Sequence, residues 1–231
     1  RNPDEGMTAI AYDKGYFFLR LIEETVGRDG FDKFLKAYFT EHAFTVMDTD
    51  QFIAYLKENL LNSEELLTAV NMDAWIFGAG LPANCPQVRS ERIESVDANL
   101  IAWETGTMAT EDLPWKEWVY QERYRFLSNL NDATTAERMN ELDATWNIST
   151  TGNNEVLFAW LEQSIRSKYA PSYARLETFL INVGRRKFLT PLYRAMVETE
   201  QKEMALSIYE QARQNYHSVA TGTMDELLAV D

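Results

Sequence analysis

An all-α fold is what this sequence predicts, and three observations predict it. Apolar residues recur at three- and four-residue intervals along nearly the whole chain. No segment alternates apolar and polar residues with the Val, Ile and Thr enrichment of a strand. Helix-start residues (Asp, Thr or Pro) stand at the head of several apolar runs.

Taken in order, "GMTAIAYDKGYFFLRLIEETVG" (Gly6 to Gly27) reads as a buried helix with an unusually polar start at Tyr12, Asp13, Lys14 and Gly15. Phe31, Phe34, Leu35, Tyr38 and Phe39 line one face of the next helix. "DTDQFIAYLKENLL" offers Asp48 to Asp50 as N-caps, then places Phe52, Ile53, Leu56 and Leu60 on one side. "AWIFGAGLPANCPQV" then concentrates Gly78, Gly80, Pro82 and Pro86, punctuation that predicts a linker. Residues 1–80 are therefore expected to form one helical block, residues 81–94 a linker, and residues 95–231 a second helical block.

In the second block, Trp115, Trp118, Val119 and Phe126 predict a helix with Pro114 in its first turn. Met139, Leu142 and Trp146 mark another. Val156, Trp160, Leu161 and Ile165 mark the next, followed by Tyr173, Leu176, Phe179 and Leu180. Gly184 is expected to stop that helix and Thr190-Pro191 to begin its successor. The last strong helix carries Met204, Ile208 and Tyr209. Such short helix pairs suggest stacked helical repeats, but no fixed period identifies a named repeat.

Composition narrows the function. With 45% apolar and 13% aromatic residues, the 231-residue chain can bury a substantial core. A net charge of −14 argues against nucleic acid and against an anionic membrane surface as partners. No apolar run approaches the roughly 18–20 residues of a membrane span. Cys85 is the single cysteine, so no internal disulfide can form. The chain opens Arg-Asn-Pro-Asp-Glu-Gly, without an initiator Met, and reads as a cut inside a larger protein. Cytoplasm is the compartment adopted, with periplasmic and secreted locations left open because a true N-terminus is missing.

The chemistry is sparse. His42 and His217 lie far apart, and no H-E-x-x-H, Cys/His cluster, glycine-rich phosphate loop or G-x-S-x-G occurs. His42 reads as a helix-end residue, His217 as a surface residue, and Cys85 has no base near it. Three features remain. Tyr12 is either a core tyrosine at a helix start or a phenol facing a cleft, able to donate a hydrogen bond to an oxyanion. Arg185, Arg186 and Lys187 form either a solvated turn or a carboxylate-capturing group. Asp4, in "NPDEG", is on its own a turn signal.

"AYDKG" with its apolar helix, "WIFGAGLP" about sixty residues later, "LFAWLEQSIRSKY" and "GRRKFLTPLY" occur in a fixed order. This ordered set resembles the C-terminal part of the leukotriene A4 hydrolase-like zinc aminopeptidases of peptidase family M1, over essentially the whole chain. The resemblance implies the end of a helical catalytic lobe followed by a superhelical, armadillo- or HEAT-like helical domain. It implies that Tyr12 stabilises the tetrahedral intermediate, that Asp4 lines the substrate pocket, and that Arg185 and Lys187 hold the substrate's free carboxylate. Arg186 receives no role. The family's zinc motif, its third ligand and its N-terminal β domain would precede Arg1. Zinc is thus expected in the full-length enzyme and not in these residues, which alone are expected to be inactive.

The partners implied are short peptide substrates and the upstream domains of the same chain. Met7 stands where animal leukotriene hydrolases have a second tyrosine, which favours a plain aminopeptidase over an epoxide hydrolase. The competing reading is a non-enzymatic helical scaffold for protein–protein interaction.

Overall fold

Helix α1 (Ala9–Val26) sets the pattern of the first unit, with Phe18 and Ile22 one turn apart on its buried face. The computed structural model describes residues 9–230, with side chains from Tyr12 onward. Contacts divide the chain into two units, Arg1–Val88 and Arg89–Asp231. Among the described residues the secondary structure is helical throughout, without a strand, and the fold class is all-α.

In the first unit, Gly27 separates α1 from α2 (Arg28–Glu41) at a φ of 81°, a left-handed conformation that glycine adopts without a Cβ clash. Helix α3 (Thr49–Asn59) starts on a capping box: the Asp48 carboxylate accepts from the Gln51 N–H, and the Gln51 side chain accepts from the Asp48 N–H. Ser63 caps α4 (Glu64–Val70), and α5 (Met72–Ile76) follows. Phe18, Ile22, Phe34, Leu56, Val70 and Trp75 form part of the shared core. The Gly/Pro-rich segment after α5 is tied back to this core by Asn84. Its side chain accepts from the Trp75 indole at 3.1 Å and donates to the Ala69 and Val70 carbonyls.

The second unit runs through α6 (Glu91–Glu104), α7 (Tyr120–Ser128), α8 (Ala136–Trp146) and α9 (Asn154–Arg166). It continues with α10 (Tyr173–Asn182), α11 (Arg186–Glu198), α12 (Lys202–Ala212) and α13 (Ser218–Leu228). Residues 81–94, expected as a linker, contain the first turn of α6. Helix α9 is the centre: Val156 to Leu161 are buried without interruption, between α7 on one side and α11 on another.

Three local expectations need correction. Trp115 and Trp118 are buried, but they lie in a turn, and the helix begins only at Tyr120. The Glu122 carboxylate accepts from the Val119 N–H and Arg123 donates to the Trp115 carbonyl, which together fix the start there. Thr190-Pro191 does not start a helix. Helix α11 begins at Arg186 and carries Pro191 inside it, because Phe188, Leu189, Leu192 and Tyr193 are buried along one continuous face. Finally, α12 is not the last strong helix. In α13, Ala220, Met224 and Leu228 repeat every four residues and are buried, and the helix packs on α11.

Candidate active-site residues

Tyr12 lies in the first described turn of α1. Its side chain is 70% exposed, so within its own unit it is not a core tyrosine. Tyr16, one turn further on, is also exposed and accepts a hydrogen bond from Arg20 at 3.0 Å.

Beside this end of α1 lies an open groove of about 710 Å³, lined by Lys14, Gly15, Phe18, Phe52, Trp75 and Gly78 among others. Lys14 spans part of it, its Nζ donating to the Gly78 carbonyl at 2.6 Å. Gly78 has no room for a side chain, since a Cβ there would stand 2.5 Å from the Ala74 carbonyl oxygen. The motifs "AYDKG" and "WIFGAGLP" therefore meet in space, although 64 residues separate Lys14 from Gly78.

The basic cluster takes a different form from the tight connection expected. Arg185 is the N-cap residue of α11, and Arg186 and Lys187 begin its first turn. Lys187 Nζ donates to both carboxylate oxygens of Glu155, each at 2.7 Å, while Arg185 Nη1 stands 3.9 Å from one of them. Glu155 occupies the first turn of α9, where a negative charge is also favoured by the helix dipole. The guanidinium of Arg185 and the ammonium of Lys187 lie 5.7 and 5.3 Å from the centre of the Phe188 ring. That ring is buried against Phe158 and Phe179, so the core fixes the platform beneath both cations.

The structure thus brings Arg185 and Lys187 together on one carboxylate. Tyr12 belongs to the first unit and the cations to the second. Asp4 and Met7 lie outside the described residues. His42 caps the end of α2 with its ring between Tyr38 and Tyr55, and His217 caps the start of α13, its Nδ1 accepting from the Val219 N–H. Glu155 was missed from sequence; its place in a first turn was visible, but its pairing across 32 residues was not.

Among the described residues no group of three or more His, Cys, Asp or Glu side chains could hold a metal ion, so these residues do not themselves fit a zinc site. No helix among them is long and apolar enough to cross a membrane.

Comparison with known proteins follows the same division. Residues 1–75 match the model of the peptidase family M1 domain, and residues 118–228 match that of the leukotriene A4 hydrolase C-terminal domain. Leucine aminopeptidase 2 of Kluyveromyces lactis is 28% identical over 253 residues, covering 99% of this chain and 38% of that protein. A leukotriene A-4 hydrolase homolog of Botryotinia fuckeliana is 25% identical over 232 residues, covering 98% of this chain and 36% of that protein. A solved structure of yeast LTA4 hydrolase in complex with bestatin shares the fold with a TM-score of 0.79 at 23% identity, over 100% of this chain and 41% of that one. The chain spans well under half the length of these relatives.

Proposed function

The chain belongs to the leukotriene A4 hydrolase-like group of peptidase family M1, and we propose that it is the C-terminal portion of an aminopeptidase that removes N-terminal residues from short peptides. The observation that carries this reading is the convergence of Arg185 and Lys187 on a single carboxylate above the buried Phe188 ring. Two cations placed on one carboxylate have the chemistry needed to hold the C-terminus of a short peptide. Charge-assisted hydrogen bonds to both oxygens would fix its orientation as well as its affinity. An internal residue of a long chain offers no such group, so di- to tetrapeptides are the proposed substrate class.

In the same reading, Tyr12 is the electrophilic partner. Its exposed phenol would donate to the oxyanion that forms as the carbonyl becomes tetrahedral, an interaction stronger in the transition state than in the ground state. Asp4 is proposed to line the pocket for the N-terminal residue. Met7, in place of a second tyrosine, favours peptide hydrolysis without epoxide hydrolysis. Zinc is proposed as the cofactor of the full-length protein, with ligands other than the described residues. The cytoplasm remains the proposed compartment.

The test compares a tripeptide with the same tripeptide amidated at its C-terminus, using the full-length protein. A clear preference in kcat/KM for the free acid is expected. Equal turnover of the two would overturn the carboxylate role of Arg185 and Lys187.

A further inference from the structure

Glu155 contributes to this corner in a way that the peptide-binding role of Arg185 and Lys187 does not account for. Its carboxylate is where a substrate carboxylate would have to be: 2.7 Å from Lys187 Nζ through each oxygen and 3.9 Å from Arg185 Nη1. The corner as it stands therefore already contains a bound carboxylate, supplied by the protein.

Two roles are chemically available to such a group. It could hold the cations in place, or it could neutralise Lys187 until a better carboxylate arrives. The geometry separates them. Both cations already lie near the Phe188 ring, at 5.7 and 5.3 Å from its centre, and the core holds that ring, so they have a support that does not involve Glu155. All three charged side chains reach solvent, with 66% of the Arg185 side chain, 47% of Lys187 and 28% of Glu155 exposed. An ion pair this accessible to water is weak and exchanges partners readily.

We propose that Glu155 is a resident counter-ion that competes with the substrate's C-terminal carboxylate for Lys187, and so sets the threshold for entry to the site. This rests on the carboxylate-binding reading of Arg185 and Lys187. A ligand with a full negative charge displaces Glu155 from Lys187, gaining the same ammonium and, in addition, a closer approach to Arg185. A neutral C-terminus cannot make the exchange and leaves the Glu155–Lys187 pair closed. Glu155 thereby restricts the corner to true carboxylates at the cost of some affinity for them.

The experiment uses Glu155→Gln in the full-length protein, with the tripeptide, its C-terminal amide and an aminoacyl arylamide as substrates. Gln keeps the shape of the side chain and removes the charge. The ratio of kcat/KM for tripeptide over arylamide is expected to rise about fivefold, mainly through a lower KM, the scale set by the strength of an exposed ion pair. An unchanged or lower ratio, with the wild-type protein still preferring the free acid over the amide, would overturn the competition and leave Glu155 as a tie between α9 and α11. No wild-type preference for the free acid would remove the carboxylate site itself, and the inference with it.

Discussion

The Arg92 guanidinium meets the Glu122 carboxylate through two parallel hydrogen bonds, Nε to Oε1 at 2.9 Å and Nη2 to Oε2 at 2.6 Å. The carboxylate is buried and also accepts from the Val119 N–H at 2.8 Å. Arg125 and Asp97 repeat the arrangement between the same two helices with the charges reversed, at 2.8 and 2.9 Å. Helices α6 and α7 are thus fastened by two forked ion pairs, one running in each direction.

The pairs predict how stability depends on pH. The hydrogen bonds from Arg92 hold the Glu122 carboxyl below its ordinary range, against burial, which pushes it up, and Arg125 does the same for Asp97. In the unfolded chain both carboxyls titrate near about pH 4. Their contribution is therefore complete above that value and is lost as pH falls towards the lowered folded values. Glu122→Gln is expected to cost about 1–3 kcal/mol at neutral pH. It should also flatten the loss of thermal stability of the second unit below about pH 4. Melting curves of wild type and variant between neutral and acid pH check this. Parallel curves would contradict it.

Pro191 sits inside α11, where it donates no hydrogen bond to the preceding turn and crowds its backbone. Pro191→Ala restores an N–H that can reach the Lys187 carbonyl, at a modest cost in unfolded-chain entropy. A net stabilisation of about 1 kcal/mol is expected, read as a higher midpoint in urea. A lower midpoint would show that Pro191 is matched to a local geometry that alanine cannot keep.

Gly78→Ala tests the contact between Lys14 and Gly78 at the groove of the first unit. A Cβ there falls 2.5 Å from the Ala74 carbonyl oxygen, a backbone atom that cannot swing aside. The segment must shift, and the 2.6 Å bond from Lys14 to the Gly78 carbonyl shifts with it. A loss of about 1–3 kcal/mol is expected in the first unit, with faster amide exchange around residues 74–80. Wild-type exchange rates would contradict the crowding.

Tyr12→Phe removes one hydroxyl from an exposed position. In the full-length protein it is expected to lower kcat by about 10²–10³ on tripeptide and arylamide alike. Thermal stability should stay at the wild-type value, since no core contact is lost. Loss on one substrate only would assign Tyr12 to binding instead of to the reacting carbonyl.

What could be read from sequence depended on how local each signal was. Helix α9 was legible because its apolar residues and its position between polar segments agree with one another. Trp115 and Trp118 misled for a physical reason: two tryptophans three apart imitate a helical face, although here they fill the core from a turn stopped by Glu122 and Arg123. Helix α13 went unread because Thr221, Gly222 and Thr223 lower its intrinsic helix propensity, and burial of Met224 and Leu228 overrides them. At the candidate site, Arg185 and Lys187 were visible as a local charge cluster, and Tyr12 as a misplaced phenol. Glu155 and the Lys14–Gly78 contact were not, because each joins segments brought together only by folding.

The most direct test of the central claim is Arg185→Ala in the full-length protein, assayed on a tripeptide and on an aminoacyl arylamide that has no carboxylate. Removal of a carboxylate anchor predicts a drop in kcat/KM for the tripeptide of about tenfold or more, and a tripeptide-to-arylamide ratio that falls with it. Equal losses on the two substrates, or no loss on either, would contradict the assignment of this corner to the peptide's C-terminus.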